Sequence, residues 1–313
     1  MTSAGRIFRD LAAVRLPDRP CHVAVGMFDG VHRGHKAVIE GAVLAARREG
    51  GIAGVFTFWP HPSRLFRPDD PVRMIFTAAE RAELLLRLGV DFIVEQPFTM
   101  EFASIEAEDV VRHLKGAMPQ LRALHVGENW RFGRGRAGDV AALVRLARAE
   151  DVAVVSAPRL SFQDEPISST RIRSAIAVGD VSGATELLGH PYFAFGPVVP
   201  GRQLGRTIDF PTLNLDWRPD LKPALGVYAV RVHGAGGDAA RPGVANYGVR
   251  PTVDGTGEPV LEVHLLAECP FGTGDTLQVD FVRHLRPEHR FDSINALREQ
   301  IARDCEAARS VLG

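Results

Sequence analysis

Cysteine is scarce, with three in 313 residues: Cys21, Cys269 and Cys305. Their number is odd, they lie far apart and no C-x-x-C occurs. Neither a disulfide framework nor a zinc knuckle is indicated, each thiol reads as a small buried or surface group, and a reducing cytoplasm fits. Long apolar runs are lacking: none reaches the ~18 residues of a membrane span. The segment MTSAGRIFRDLAAVRLPDRP, with Arg6, Arg9 and Arg15 spread through it, does not read as a signal peptide. Excess charge is lacking too, since 37 Lys+Arg face 38 Asp+Glu. That excludes a bulk polybasic binder of nucleic acid or membrane and argues against long disorder, while a local basic pocket stays compatible. No internal repeat, low-complexity segment or G-x-x-x-x-G-K-[ST] phosphate loop is present.

What is present suits about two domains at roughly 150 residues each. The first half alternates apolar, β-branched runs with helical stretches. Strands are expected at His22–Val25, Ala53–Phe58, Asp91–Glu95, Ala123–Val126 and Val152–Ser156, and helices near Lys36–Arg48, Ala78–Leu88, Ala107–Lys115 and Asp139–Ala149. This order implies an α/β fold, a parallel sheet wrapped by helices and buried on both faces, with ligands beyond the carboxyl ends of the strands. From about Gly189 the chain changes character. Gly and Pro cluster at Gly196-Pro197, Pro200-Gly201, Gly234–Gly237, Pro242-Gly243 and Gly255–Gly257 and read as turns. Between them lie alternating strands at Tyr228–Val232, Val260–Leu266 and Leu277–Val282, as in an antiparallel barrel or sandwich. A last helix is expected after Asp292 or Ser293, with Ile294, Leu297, Ile301 and Cys305 on one face. The boundary is placed at 187/188.

The first strand runs into GMFDGVHRGHKAVI. His32 and His35 fall at the start of a helix, where free N–H groups and the positive dipole end favour anions. Gly30 and Gly34 admit a phosphate close to the backbone, and two imidazoles three apart can donate to phosphate oxygens. A second helix opens at ISSTRIR, where Ser168 or Ser169 would cap it and an arginine follows one turn in, a further phosphate cradle. The run Gly133–Gly138 matches G-x-G-x-x-G but neither directly follows a strand nor precedes an acidic strand end, so it is not read as a dinucleotide fingerprint.

The second half holds a basic glycine loop, Gly201-Arg202 and Gly205-Arg206, able to wrap phosphates. Thr212 and Asn214, two apart, project to one side of a strand and offer hard oxygens suited to Mg²⁺. In Val260–Leu265, Glu262 and His264 share one face, and Glu262 is a carboxylate that could take a proton from an alcohol.

These segments together resemble the prokaryotic bifunctional riboflavin kinase/FAD synthetase (FMN adenylyltransferase) family. GMFDGVHRGH and ISSTRIR look like the H-x-G-H nucleotidylyltransferases, and TFWPHP and VGENWRFGRGRAG narrow the match to the FAD synthetase module. The G-R-x-x-G-R loop, PTLN, VANYGVRPT, EVH and the closing LRPE…F resemble riboflavin kinase. The resemblance spans about residues 20–310 and implies a doubly wound nucleotidylyltransferase domain at 1–187 and an antiparallel β-barrel with a terminal helix at 188–313. It implies that riboflavin, FMN and ATP are the substrates, with Mg²⁺ in both reactions. Gly26, Phe28, Asp29, His32, Gly34, His35, Asn129, Ser169, Thr170 and Arg173 would serve the ATP of the adenylyltransferase. Gly201, Arg202, Gly205, Arg206, Thr212 and Asn214 would serve that of the kinase, with the metal on Thr212 and Asn214. Glu262 would be the base, and Arg286 would lie in a loop folding over flavin. The family has Asn or Thr where Met27 stands, Gly for Asp209 and Ala for Leu213. One alternative is a chain with a single active domain, the kinase being the weakened one; the other is a non-catalytic flavin-binding protein. Neither nucleic acid nor membrane is expected as a partner, and self-association is left open.

Overall fold

The computed structural model describes residues 6–201, 210–234, 239–249 and 257–313. The chain divides into two compact units, Met1–Ser169 and Thr170–Gly313.

In the first unit six parallel strands stand in the order β1-β4-β3-β2-β5-β6. They are β1 (Arg6–Phe8), β2 (Cys21–Val25), β3 (Ile52–Phe58), β4 (Phe92–Gln96), β5 (Leu121–Gly127) and β6 (Ala153–Ala157). Helices α1 (Arg33–Arg48), α2 (Ser63–Phe66), α3 (Ala78–Arg87), α4 (Met100–Ala103), α5 (Ala107–Ala117) and α6 (Val140–Ala149) connect them, and a short ribbon pairs β7 (Ser161–Phe162) with β8 (Glu165–Pro166). Two apolar layers sandwich the sheet. Val23, Phe56, Phe92 and Leu124 lie with Val111, Leu114 and Leu143 of α5 and α6. Ala24, Val55 and Ile93 lie with Ile39, Ala42 and Leu85 of α1 and α3. Opposite faces buried under separate helices make the sheet doubly wound. The expected strands agree with β2–β6 to within two residues at either end. β1 was not anticipated, being three residues with no turn signal of its own. β6 is an edge strand with Val155 46% exposed, so burial on both faces stops short of it. Helix α1 starts three residues earlier than its apolar pattern, because His32 caps it through its side chain.

Gly54, on β3, makes room for a ring. An added Cβ would lie 2.1 Å from Cζ of Phe92, which is 2% exposed and has no space to retreat. Gly54→Ala should therefore destabilise the first unit by about 1–3 kcal/mol, the usual cost of overpacking a core, read as a lowered urea midpoint.

The second unit opens with α7 (Ser169–Ala177), counting from its second residue, and α8 (Val181–Leu188). A closed antiparallel barrel follows in the order β10-β13-β12-β11-β14-β9, built of β9 (Tyr192–Val199), β10 (Leu213–Leu215), β11 (Gly226–Gly234), β12 (Arg241–Val249), β13 (Pro259–Leu265) and β14 (Thr276–Arg286). Closure removes exposed sheet edges. Tyr192, Tyr228, Tyr247, Phe281 and Trp217 pack against one another as its aromatic core. Buried hydroxyls find carbonyls: Tyr192 Oη donates to Leu221 O at 3.1 Å and Tyr228 Oη donates to Ala224 O. Helix α9 (Ile294–Leu312), capped by Ser293, lies on the outer face over Val227, Ala229 and Val244. Its buried stripe runs through Cys305, Ala308 and Leu312 with Ile301 at its margin, whereas Ile294 is 68% exposed.

Gly196-Pro197 and Pro242-Gly243 lie inside β9 and β12, not in turns. The glycines are there for close approach: a Cβ on Gly196 would stand 2.4 Å from Asp216 O, and one on Gly243 2.9 Å from His264 O. Residues 235–237 and 255–256 of the expected turns lie outside the described residues.

Candidate functional site

In the first unit the chain runs β2, β3, β4 to one side and returns to place β5 on the other side of β2. Ligands of open α/β sheets bind outside the carboxyl ends at such a reversal. The segment after β2 carries H-x-G-H, and the segment after β5 carries Asn129, so the sheet brings both to the same end.

The turn between β2 and α1 is tightly held. Phe28, Gly30 and Val31 have φ of 50°, 84° and 45°, the left-handed region that favours glycine. The Phe28 ring folds back over Gly26 and meets His35 edge-on at 5.3 Å. Asp29, 2% exposed, accepts from the Ile75 N–H at 3.0 Å through its carboxylate, and its carbonyl accepts from Ser169 Oγ at 2.9 Å. The Met27 carbonyl accepts from Thr57 Oγ1 and from Arg81 Nη1 at 3.1 and 3.0 Å. Arg81, 1% exposed, also donates to Phe58 O and to Glu95, which Arg9 pairs from outside. Through its two Nη groups the buried guanidinium ties the Met27 carbonyl of the turn, the Phe58 carbonyl at the end of β3 and the Glu95 carboxylate of β4 together, while its Nε has no hydrogen-bond partner among the described residues.

His32 Nδ1 accepts the His35 N–H at 3.3 Å, so the proton of a neutral His32 sits on Nε2. The two imidazoles stack with centroids 3.5 Å apart and planes 17° from parallel. Burial, then His32, then Arg81 push the His35 imidazole well below its usual range, so it stays neutral. A Cβ at Gly34 would stand 3.2 Å from the His32 ring. Ser169 opens α7, and Thr170 and Arg173 follow on that helix in the second unit.

Beside Met27 and Asn129 a cavity of about 710 Å³ opens, walled by Phe58, Phe98, Phe102, Trp130 and Phe132. Phe58, Phe98 and Phe102 meet at 5.4–5.9 Å, and Trp130 stacks on Phe132 at 4.8 Å. Neither His32 nor His35 lines it; Met27 is where it meets the turn. Of the run Gly133–Gly138, Gly133, Gly135 and Arg136 line it. Gly133 touches the Ala107 backbone and Gly138 the Phe132 ring too closely for a Cβ, a packing role. Arg81, Phe98 and Phe102 carried no signal in sequence, and Phe58, Trp130 and Phe132 lie in the TFWPHP and VGENWRFGRGRAG segments, where nothing marks them as a wall. Dispersed Phe and Trp in apolar stretches read as core, and an arginine on an amphipathic helix reads as surface.

Under α1, His22 Nδ1 lies 3.4 Å from His125 Nε2, and His22 Nε2 lies 3.2 Å from Glu49. Burial and the neighbouring His22 push His125 down to about 4 from an ordinary 6.5. Between these values the unfolded chain binds the extra proton, so stability rises with pH there. The contribution is complete above pH 6.5 and is lost as pH falls towards 4, a span on the order of 3 kcal/mol. Urea unfolding of the first unit at pH 7 and at pH 4.5 should show that loss, and His125→Gln should flatten it.

In the second unit, cross-strand register aligns Asn214, Glu262 and Asn246 in one row across β10, β13 and β12, on the outer face. The alternate residues Leu261 and Val263 fill the inside. Asn214 is 5% exposed, and a Cβ on Gly201 would meet its amide at 2.1 Å. Asn246 Nδ2 donates to Glu288 Oε1 at 3.2 Å. Arg286 ends β14 and is held by Asp304 of α9, Nη2 to Oδ2 at 2.7 Å and Nε to Oδ1 at 2.9 Å. Its Nη1 donates to Pro287 O at the start of the following loop. Arg202, Gly205, Arg206 and Asp209, with Arg250–Thr252 of the VANYGVRPT segment, lie outside the described residues.

Two family models match, FAD synthetase over residues 15–171 and riboflavin kinase over residues 188–312. A bifunctional riboflavin kinase/FMN adenylyltransferase of Escherichia coli (strain K12) is 38% identical over 297 residues, spanning 95% of this chain and 94% of its own. The chain belongs to the bifunctional riboflavin kinase/FMN adenylyltransferase family. Members from Pseudomonas fluorescens and Bacillus subtilis (strain 168) are 35% and 32% identical, over 98% and 91% of this chain and 97% and 90% of theirs. A crystal structure from Streptococcus pneumoniae, described as a macrolide-efflux protein, aligns with this family member at a TM-score of 0.86 and 31% identity, over 97% of this chain and 98% of its own. Among the described residues of this member, no helix is long and apolar enough to cross a membrane.

Proposed function

We propose that the chain phosphorylates riboflavin to FMN in its C-terminal half and adenylylates FMN to FAD in its N-terminal half, both with ATP, in a cytoplasmic setting. The division of labour is placed at 1–187 and 188–313. The observation that carries this reading is the pairing of two separate sites in one chain: stacked imidazoles at a helix start beyond a parallel sheet, and a carboxylate–amide row on a barrel wall.

In the first reaction Glu262 takes the proton of the riboflavin 5′-hydroxyl as its oxygen bonds the γ-phosphorus and the bond to ADP breaks. Magnesium suits the donor set: a Thr212 hydroxyl and an Asn214 amide oxygen are hard ligands, and Mg²⁺ takes few protein groups, leaving places for water and phosphate oxygens. The Gly201 backbone packs directly on the Asn214 amide, where a Cβ would collide with it, so this glycine lets the amide keep its place. When bound, the metal supplies neutralisation of phosphate charge; the chain supplies the two oxygens, the base, and the arginines of the Gly201–Arg206 loop. Arg286, fixed by Asp304, anchors the start of the loop assigned to flavin.

In the second reaction the FMN phosphate, already ionised, attacks the α-phosphorus of ATP and pyrophosphate leaves. No protein nucleophile is needed. His32 and His35 donate to phosphate oxygens, Gly26, Phe28 and Gly34 shape the seat, Asp29 fixes its turn, and Ser169, Thr170 and Arg173 hold the triphosphate tail. The aromatic cavity takes the planar flavin ring, with Asn129 at its margin; its size lies within the range of small-molecule sites.

Chromatography of products from riboflavin, ATP and Mg²⁺ tests the whole reading. FMN should appear first and FAD after it. FAD from supplied FMN but nothing from riboflavin would leave one working domain, and flavin binding without ATP consumption would leave none.

A further inference from the structure

We propose that His264 is a positioning residue of the kinase site: its imidazole holds the Pro211 carbonyl and so sets where Thr212 presents its hydroxyl beside Asn214 and Glu262. The inference rests on the reading of Thr212 as a ligand of metal and ATP phosphate.

The ladder between β10 and β13 pairs Leu213 with Val263, Asn214 with Glu262 and Leu215 with Leu261. One step further, the partner of His264 would be Thr212, but β10 begins at Leu213. The residue before Thr212 is a proline, which has no N–H to give to a neighbouring strand. Its carbonyl is taken by a side chain instead, with His264 Nδ1 lying 2.8 Å from Pro211 O. A carbonyl only accepts, so Nδ1 carries the proton, whether the ring is neutral or charged. The ring also meets Phe210 edge-on at 5.3 Å, and Phe210 packs on the cluster under α9. The imidazole thus grips both residues ahead of Thr212 from a strand position two residues beyond Glu262. It touches no reacting atom; its action passes through the backbone of Pro211.

The full chain is assayed for riboflavin phosphorylation while MgATP and free Mg²⁺ are varied, with adenylylation of supplied FMN as the control. His264→Phe keeps a ring against Phe210 and loses the donor. It should raise KM for MgATP and the half-saturating Mg²⁺ by about 5- to 10-fold, the order expected for one lost hydrogen bond, with kcat changed less and the control unchanged. His264→Asn, whose amide nitrogen can take the place of Nδ1, should restore most of the loss. Thr212→Ala should shift the same constants, and adding His264→Phe to it should cost little more, since both act through one hydroxyl. A Thr212→Ala effect with wild-type constants in His264→Phe would overturn the positioning role and leave Thr212 its part. No effect in either would remove Thr212 from the site. An equal fall of kcat and kcat/KM in His264→Phe, unrelieved by His264→Asn, would also overturn the proposal.

Discussion

Glu262→Ala slows formation of FMN from riboflavin by roughly 10²–10⁴-fold, the usual range for a lost general base, and leaves adenylylation of supplied FMN at its normal rate. The carboxylate lies at the centre of a row flanked by Asn214 and Asn246, on the side of β13 opposite its packed apolar residues. Removing it opens no cavity in the barrel core, so the loss is chemical. Steady-state assays of the two half-reactions on the same preparation check this. Glu262→Gln separates charge from shape: it keeps the size and the hydrogen-bonding amide but not the basicity, and should be nearly as slow as the alanine form. A normal rate of phosphorylation in either variant would strip Glu262 of its role.

His32→Ala has its effect in the other half. Losing one donor that stabilises developing charge costs about 2.7–4 kcal/mol, or 10²–10³ in rate. FAD formation from FMN falls by that order while phosphorylation of riboflavin persists. His32 has a second duty, since its Nδ1 receives the His35 N–H at the helix start, and alanine removes that cap as well. An Asn at position 32 can cap the helix through its side-chain oxygen. His32→Asn therefore recovers the stability lost in His32→Ala without recovering the rate. Equal loss of both activities in His32→Ala would mean that the variant is misfolded.

The sheet was readable because β2–β5 are short apolar runs broken by polar helices, a pattern that length and burial enforce together. The barrel was harder. β9 and β12 carry Gly-Pro and Pro-Gly pairs that look like turns from composition, yet the glycines serve tight strand contacts at Asp216 O and His264 O. The candidate residues His32, His35, Thr212, Asn214 and Glu262 stood out as parts of longer segments that resemble the family's motifs, since each residue alone has ordinary uses in a cap, a turn or a solvated strand face. Arg81 did not. Its partners Met27, Phe58 and Glu95 come from three separate segments, and only the fold makes them neighbours. The aromatic cavity was hidden for the same reason, since a wall of Phe and Trp and a filled core have the same composition.

Phe28 and Val31 carry a further consequence. A bulky and a β-branched residue there occupy backbone angles that cost of order 1–3 kcal/mol each, and the surrounding sheet compels them to stay. A peptide excised from 22–35 would relax into some other shape. The proposed anion seat is thus a dependant of the folded unit, with no existence as a portable sequence, and grafting those fourteen or so letters onto another scaffold would transplant the chemistry's alphabet without its grammar.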